Sequence, residues 1–384
     1  MTGLVARFHP ALSAVAPAQW DALRPDDNPF VSHAFLAGLE ETGCIDARAG
    51  WQPHHLTLHD NGRLVAAAPL YRKTNSHGEF VFDWSWAHAY AEHGYDYYPK
   101  LLCAVPYSPV TGPRLLAGAG DRVEMRARLI AAMRDEAIHL GLSSAHVNFP
   151  AAYDESAFIG SDWLERFDWQ FHWHNRGWAD FDEFLASLNH RKRKNIRQER
   201  AHVATAGIHC EIRHGDELEE SEWCTLHDFY RSTFEERGNF PALTLDFFRH
   251  LGTAMPRSVV AVLCRRGNAA VAGALMLRSS TTLYGRYWGS RENVPGLHFE
   301  ACYYQGIEYC LREGLTIFEP GAQGEHKIAR GFLPARTRSF HWIADARFRR
   351  AIASALQREA IALDAYRDEC MEHSPFAKGH GNAT

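Results

Sequence analysis

Three apolar runs follow one another between Arg257 and Ser290, in the stretch RSVVAVLCRRGNAAVAGALMLRSSTTLYGRYWGS. Runs of this composition predict strands, and the Gly267-Asn268 pair between the first two predicts a hairpin turn. The later segment LHFEACYYQGIEYCLREG is a helix candidate that stops at Gly314, and LTIFEP after it reads as a short buried strand. This order of strands, helix and strand favours an α+β domain.

The first half of the chain has a similar order of elements between Leu56 and Phe149. Two apolar runs flank Asp60-Asn61-Gly62, which predicts a hairpin, and EFVFDWSWAHAY reads as a further strand that runs into an aromatic loop. DRVEMRARLIAAMRDEAIHLGL is a helix candidate that ends at Gly141, and SSAHVNFP follows it as a strand. We therefore predict two similar α+β domains in tandem.

The length of the chain agrees with this division, since 384 residues are long for one domain and comfortable for two. We place the first domain at residues 1–175 and the second at residues 176–384. The second domain includes a C-terminal helix, ARFRRAIASALQREAIALDAYRDEC, because its apolar residues recur at helical spacing.

Charge, cysteine spacing and hydropathy limit the classes of protein to which the chain can belong. The net charge is −5 and the sequence pI is near 6.5, so a nucleic-acid partner would have to use a local basic patch. The eight cysteines contain no C-x-x-C pair and the 23 histidines suggest no convincing ligand set, so no metal site is predicted. No stretch reaches the roughly 18 apolar residues of a membrane span. These patterns predict a soluble, reduced, cytoplasmic protein.

The stretch TTLYGRYWGSRENVPGLHFEACYYQGIEYCLREGLTIFEPGAQGEHKIARGF joins a tyrosine-rich strand, a Gly-Ser turn, a helix, a strand and a glycine-rich segment that leads to Lys-x-x-x-Gly-Phe. It resembles the GNAT superfamily, and most of all the predicted bacterial N-acyltransferases related to the Fem-type peptidoglycan aminoacyltransferases. EFVFDWSWAHAY, YYPKLLCAVPYSPVTGPRLL and NHRKRKNIRQER also resemble that branch. The resemblance implies an α+β fold of two tandem GNAT-like (acyl-CoA N-acyltransferase-like) domains, and we expect a central cleft between them.

The resemblance also implies an enzyme that forms an amide between an activated acyl or aminoacyl group and a small amine or peptide acceptor, in a role related to peptidoglycan biosynthesis. Direct attack by the amine fits the sequence, which shows neither a Gly-x-Ser-x-Gly elbow nor a reactive-cysteine context. The donor would be an acyl-CoA or an aminoacyl-tRNA, used as a co-substrate, and no cofactor would be bound tightly. The alternative is a non-catalytic RNA- or nucleotide-binding protein that keeps the fold.

The choice between the two donors stays open at this point. A typical GNAT enzyme holds the pyrophosphate of coenzyme A in a glycine-rich turn at the start of a helix. The matching segment here, RENVPGLHF, has one glycine, Gly296, and the other candidate is GAGDR at Gly118 to Arg122. The sequence therefore departs from the acyl-CoA pattern.

The polar segment GAQGEHKIARGFLP follows the buried strand candidate LTIFEP. Lys327 and Arg330 are three residues apart, so that on one helical turn they would share a face and clamp a phosphate. Glu319 would place a carboxylate at the strand end, as a proton acceptor. We predict catalytic roles for Lys327, Glu319 and His326 and substrate binding by Arg330; the alternative is a basic, solvated loop.

The stretch FDWSWAHAYAEHGYDYYPK is rich in aromatic residues with a few polar groups, which is typical of a ligand cleft and also of a core under a long loop. The substrate-binding candidates in this half are Asp83, Trp84, Trp86, His88, Tyr98 and Lys100. In the second half, His298 and Glu300 open the predicted helix, where they would face the acyl donor or stabilise the helix end. Tyr287, in the strand before them, is a further substrate-binding candidate.

The segment NHRKRKNIRQER concentrates basic residues in an otherwise acidic chain. Arg193, Arg197 and Arg200 fall on one helical face, and Arg191 and Lys194 flank them. This pattern predicts a patch that binds phosphates of a tRNA or of a nucleotide-linked precursor, and it is equally typical of a solvated helix face.

Overall fold

A computed structural model describes residues 3–322 and 324–377 of the chain. They form two compact units. The first unit comprises the chain up to Asp168 together with Arg336–Asp364, and the second comprises Trp169–Ala335 and the chain that follows Asp364.

Both units contain strands and helices. The strands are β1 (Leu4–His9), β2 (Trp51–Pro53), β3 (His55–Asp60), β4 (Arg63–Ala68), β5 (Leu70–Lys73), β6 (Lys100–Cys103), β7 (Ser144–Asn148), β8 (Leu164–His174), β9 (Ile208–His214), β10 (Val259–Arg266), β11 (Ala269–Arg278), β12 (Thr282–Ser290), β13 (Ile317–Glu319) and β14 (Leu333–Ile343).

The helices are α1 (Pro17–Asp21), α2 (His33–Glu41), α3 (Trp84–Glu92), α4 (Val123–His139), α5 (Ala152–Glu155), α6 (Phe181–Ser187), α7 (His190–Thr205), α8 (Glu220–Glu235), α9 (Leu245–Ala254), α10 (Leu297–Phe299), α11 (Gln305–Glu313) and α12 (Ala346–Glu372). A π-helical turn, Glu300–Tyr304, joins α10 to α11, and a 3₁₀ turn, Glu325–Arg330, follows β13. Among the described residues, none of these helices is long and apolar enough to cross a membrane.

In the first unit, β1, β3 and β4 form a small antiparallel sheet, and a second sheet has the order β2-β5-β6-β7-β14. Strands β6 and β7 are parallel, whereas β14 runs antiparallel to β7. Helix α4 connects β6 to β7 and packs Leu129, Ile130 and Met133 into the core of this unit. The sequence predicts this order of strand, helix and strand, and the structure adds that the two strands are parallel.

In the second unit, the strand order is β8-β13-β12-β11-β10-β9. Strands β9 to β12 are antiparallel neighbours, and β12 and β13 pair in parallel from Thr282–Tyr284 to Ile317–Glu319. The helical segment from α10 to α11 connects those two parallel strands, and it ends where Gly314 takes a φ of 71°. Glycine adopts this left-handed conformation at little cost, so the predicted stop at Gly314 is confirmed.

The C-terminal helix differs from the prediction in its placement. Most of α12 lies with the first unit, although the predicted boundary assigned it to residues 176–384. Its apolar residues Phe348, Ile352 and Leu356 pack in one cluster with Trp86 and Tyr90. These contacts join residues that are distant in sequence. The spacing of apolar residues therefore predicts the helix but not the residues against which it packs.

The segment EFVFDWSWAHAY also differs from the prediction, since it holds helix α3 rather than a strand and an aromatic loop. The aromatic residues Phe82, Trp84 and Trp86 alternate as they would in a strand. The buried residues Trp86 and Tyr90 are instead four positions apart, which is the spacing of one helical face. The helical period therefore determines which side chains of this segment are buried.

A candidate active site in the second unit

The 3₁₀ turn Glu325–Arg330 turns its two cations inward. Lys327 is buried, and its Nζ donates a hydrogen bond of 2.6 Å to the carbonyl of Gly321. Burial lowers the pKa of Lys327 to about 8, against the opposing effect of the neighbouring Cys302. The predicted pair therefore does share one turn, and this lysine can exchange a proton near neutral pH.

Arg330 is held by partners on all sides of its guanidinium. It donates to Glu199 Oε1 at 2.6 Å, to the Tyr304 hydroxyl at 3.1 Å and to the carbonyl of His326 at 2.7 Å. It also lies over the ring of Phe299, 3.4 Å from the ring centroid. Because these partners fix its position, Arg330 contributes a fixed positive charge rather than a free phosphate clamp.

Two histidines lie next to this turn. His326 is exposed, and its Nε2 is 2.9 Å from the hydroxyl of Tyr303. Its ring centroid is 6.2 Å from that of His298. The pKa of His326 is lowered by burial and by the positive charges of Lys327 and Arg330. The pKa of His298 is lowered to about 4, mainly by burial and further by the neighbouring His326 and Arg330. Both imidazoles are therefore neutral at pH 7 and able to accept a proton.

The π-helical turn supplies the residues that face the two histidines and Arg330. It carries Tyr303 and Tyr304, and Tyr304 also donates a hydrogen bond to Glu199. One extra residue per turn displaces the following side chains relative to a regular helix, and such turns recur at functional sites. The helix that the sequence predicts as regular is thus distorted where it meets the site.

Glu300 and Arg200 form a second layer beside this group. Arg200 donates to both oxygens of Glu300 at 3.1 Å and to Glu308 at 2.7 Å, and its guanidinium lies 4.7 Å from the ring centroid of Phe181. Glu300 is buried and also accepts from Gln305 at 2.8 Å. These ion pairs occupy both predicted residues, so they support the fold around the site rather than an acyl donor.

Two further predicted residues lie in the parallel strand pair. Glu319 ends β13, where it is buried and stands in register with Tyr284 of β12. Tyr287 lies further along β12, and its ring contacts Tyr230 at 4.9 Å and Phe248 at 6.2 Å between centroids. The structure therefore places Tyr287 against α8 and α9.

Helix α7 has a basic outer face. Within the described part of the chain, no ion pair occupies the side chains of four predicted patch residues, Arg191, Arg193, Lys194 and Arg197. The fifth predicted residue, Arg200, is engaged by carboxylates as described above. The same helix turns Glu199 toward Arg330, so the basic face and the buried ion pair share one rigid element.

The predicted residues of the first half do not form one group. Trp84 is 56% exposed and its ring contacts that of Phe82 at a tilt of 38°, and His88 is exposed and pairs with Glu92 at 3.3 Å. Trp86 instead is buried and contacts His341, with 4.9 Å between ring centroids. The helical form of α3 separates Trp84 and His88 from Trp86.

Asp83, Tyr98 and Lys100 come together in a buried polar network. Lys100 Nζ donates to Glu79 at 2.9 Å and to Asp83, and Ser76 bonds both Asp83 and the hydroxyl of Tyr98. Burial alone would raise the pKa of Asp83, but Lys100 and its hydrogen bonds outweigh it and lower that pKa to about 2. Asp83 is therefore a permanent carboxylate with a fixed partner.

Several residues of both groups escaped the sequence analysis. They are Glu199, Phe299, Tyr303 and Tyr304 in the second unit, and Ser76 and Glu79 in the first. Helical spacing could have identified two of the residues in the second unit, because Phe299 and Tyr303 lie four residues apart and therefore on one face of a helix. Within the described residues, no group of three or more histidine, cysteine, aspartate or glutamate side chains is arranged to hold a metal ion.

Comparison with known proteins identifies the family of this chain. The FemAB-like family, described as peptidoglycan biosynthesis/recognition, matches residues 11–378. The chain belongs to the FemAB-like family. No protein of curated function matches its sequence significantly. Membership indicates an acyltransferase related to the Fem-type enzymes.

Solved structures show the fold of this FemAB-like chain. It is similar to the crystal structure of FemX, with a TM-score of 0.54 and 11% identity over 88% of this chain and 98% of FemX. It is also similar to the C-terminal domain assigned to a lysylphosphatidylglycerol synthetase from Agrobacterium fabrum, with a TM-score of 0.52 and 13% identity over 88% and 95% of the two chains. The predicted α+β fold with two GNAT-like domains is confirmed, and the central cleft stays a prediction.

Proposed function

We propose that this FemAB-like protein is an N-acyltransferase that transfers an aminoacyl group to the amine of a peptide acceptor. The observation that supports the proposal is the group formed by His326, Lys327 and Arg330 on one turn after a parallel strand. The group combines a neutral, exposed imidazole with two buried positive charges. Amide formation needs a proton acceptor for the amine and positive charge near the oxygen of the reacting carbonyl.

In the proposed reaction, His326 takes the proton of the attacking amine. The nitrogen forms a bond to the carbonyl carbon, the ester bond to the donor breaks, and the released oxygen of the donor takes the proton that His326 accepted from the amine. Tyr303 orients the imidazole through their hydrogen bond of 2.9 Å. Lys327 and Arg330 stabilise the developing negative charge, and Glu319 is a second candidate for proton transfer. No covalent enzyme intermediate is involved.

Two observations favour an aminoacyl-tRNA over an acyl-CoA as the donor. The four basic side chains on the outer face of α7 leave a polyanion site next to the proposed group. Gly296, at the start of α10, packs against α7, since a Cβ there would lie 2.7 Å from the carbonyl oxygen of Glu199. Close packing therefore accounts for the glycine where a pyrophosphate turn would be expected. The family description favours a peptidoglycan-related peptide as the acceptor.

The catalytic part of the proposal is tested by His326→Gln, with His209→Gln as the matched control on an exposed histidine of the same unit. Transfer of a radiolabelled amino acid from charged tRNA to peptide acceptors is measured. Removing a general base lowers kcat by about 10²–10⁴-fold, and the control should stay within twofold. An unchanged kcat in His326→Gln would exclude this histidine as the base.

The donor is tested by the double reversal Arg193→Glu and Arg197→Glu. Binding of charged tRNA should weaken at least tenfold, and the dependence of log K on log salt should become less steep by about 1.4–1.8. The control is Arg128→Glu with Arg134→Glu on α4, which changes the net charge equally. Equal binding by both double variants, or transfer from acyl-CoA alone, would contradict tRNA as the donor.

A further inference from the structure

Strands β9 and β10 place two free cysteines directly opposite each other. Cys210 of β9 stands in register with Cys264 of β10 in this antiparallel pair. Their Sγ atoms are 3.0 Å apart, and either thiol can donate a hydrogen bond to the other. Opposite residues project to the same face of a sheet, so both thiols face the hydrophobic core of the second unit.

The backbone permits a covalent bond between these two sulfur atoms. Residues directly opposite in an antiparallel pair have Cα atoms about 4.5–5.5 Å apart, within the range of about 4.4–6.8 Å that disulfides span. A disulfide bond is about 2.05 Å long, so the sulfur atoms need to approach by about 1 Å. Strand β9 lies at the edge of its sheet and pairs with β10 alone among the described strands, so it can move by that amount.

The two thiols differ in their access to solvent. Cys210 is partly exposed on the edge strand, whereas Cys264 is fully buried. A small oxidant can therefore reach Cys210 before it reaches Cys264. In a thiol–disulfide exchange, the second thiol must lie next to the sulfur that reacts first, and Cys264 occupies that position.

A third thiol, that of Cys302 in the π-helical turn, lies close to this pair. The hydrogen bond with Cys210 and burial raise the pKa of Cys264, and Cys302 adds to that shift. Burial likewise raises the pKa of Cys302, and Cys210 adds to it. Thiols with raised pKa values form little thiolate at neutral pH, so exchange at this site should be slow there and faster in alkaline solution.

We propose that Cys210 and Cys264 are the site of a reversible disulfide, formed by exchange with a low-molecular-weight disulfide. Cys210 loses its proton and attacks one sulfur of that molecule, which forms a mixed disulfide and releases a small thiol that carries the proton. Cys264 then loses its proton and attacks Sγ of Cys210, and a second small thiol leaves with that proton. Two protein thiols are oxidised and one small disulfide is reduced.

The proposal is tested by incubating the full chain with oxidised glutathione at about pH 8.5, where more of each thiol is ionised. Mass spectrometry should find a chain that is lighter by two hydrogen atoms. Peptide mapping without reduction should join the peptide of Cys210 to that of Cys264, and dithiothreitol should release both. The inference does not depend on the proposed transfer reaction, since neither cysteine takes part in it.

Thermal unfolding shows whether the bond fits the native sheet. The melting temperature of the oxidised chain should be at least about 4 °C higher than that of the reduced chain, because the bond joins positions 54 apart in sequence. This comparison uses the unaltered protein, so it holds even where a variant fails to fold.

Variants then identify the two partners. Cys264→Ser should leave Cys210 as a mixed disulfide with glutathione, because the second thiol is missing. Cys302→Ser should still form the bond between Cys210 and Cys264. The control is Cys224→Ser, which removes a partly exposed thiol of α8 and should behave as the unaltered chain does.

Four results would overturn the inference. The first is that Cys210 and Cys264 remain unlinked in the unaltered chain after prolonged incubation. The second is that mapping joins Cys210 to Cys302 instead. The third is that Cys264→Ser loses two hydrogen atoms as readily as the unaltered chain does. The fourth is a melting temperature that does not rise on oxidation, which would mean that the bond does not fit the folded strand pair.

Discussion

Two buried lysines, one in each unit, differ in pKa because their neighbouring groups differ. Lys100 and Lys327 are both almost fully buried, and burial by itself lowers the pKa of either. Beside Lys100, the carboxylates of Glu79 and Asp83 outweigh burial and raise its pKa above the usual value. Lys327 donates to the carbonyl of Gly321 instead, and its pKa falls to about 8. The first lysine is a permanent cation of the fold, whereas the second can change its charge at working pH.

The largest effect in this comparison is expected for Lys100→Met. The substitution leaves Glu79 and Asp83 buried without their cation, which costs about 3–5 kcal/mol of unfolding free energy. Urea denaturation followed by circular dichroism measures the loss. Lys194→Met, on the exposed face of α7, is the control and should change stability by less than about 0.5 kcal/mol. Similar midpoints for both variants would show that the network around Lys100 contributes little.

A smaller loss is expected for Glu199→Gln in the second unit. Arg330 keeps its bonds to Tyr304 and to the carbonyl of His326 but loses its charged partner. The cost should be about 1–3 kcal/mol in the same denaturation experiment. Glu235→Gln, which breaks an exposed pair with Arg231, is the control at below about 0.5 kcal/mol. If the two losses are equal, Arg330 is not anchored through Glu199.

Lys327→Met should cost less again, at most about 1.5 kcal/mol, because the lost hydrogen bond to Gly321 is offset by removal of the buried charge and no carboxylate is left unpaired. Parallel urea titrations of Lys327→Met and Lys100→Met test the comparison directly. A loss in Lys327→Met that equals the loss in Lys100→Met would mean that the difference in neighbours does not govern their contributions.

Local signals predicted much of the fold. The turns at Asp60-Asn61-Gly62 and at Gly267 join β3 to β4 and β10 to β11 as expected. The spacing of Lys327 and Arg330 predicted that they share a turn, which the 3₁₀ turn confirms. Each of these predictions depends on residues that are close in sequence, where turn chemistry and helical period act directly.

Partners that are distant in sequence could not be predicted in this way. Glu199 precedes Arg330 by 131 positions, and no periodic pattern links the two. The spacing of the basic residues around Arg193 predicts one helix, which α7 confirms, yet the carboxylates that engage Arg200 come from the π-helical turn and α11. Likewise, the residues next to them in sequence do not distinguish the two lysines. Lys100 forms two ion pairs, whereas Lys327 donates a hydrogen bond to a main-chain carbonyl. Charge alone identified candidate residues, and only the tertiary structure shows which charges are neutralised.

The two lysines should also differ in how they make stability depend on pH, which is measured by comparing the unaltered chain with Lys327→Met. The folded-state pKa of Lys327 is about 8, below the usual 10.5 of an exposed lysine. Between these values the unfolded chain binds more protons than the folded chain, so this lysine makes stability increase as pH rises from about 8 to about 10.5. Lys327→Met should lack that increase, and the slopes should differ by at most about 1.4 kcal/mol per pH unit. Urea titrations at several pH values, run in parallel on both proteins, cancel the contributions of all other groups. Identical slopes would mean that Lys327 remains charged in the folded protein, and the contrast with Lys100 would then be lost.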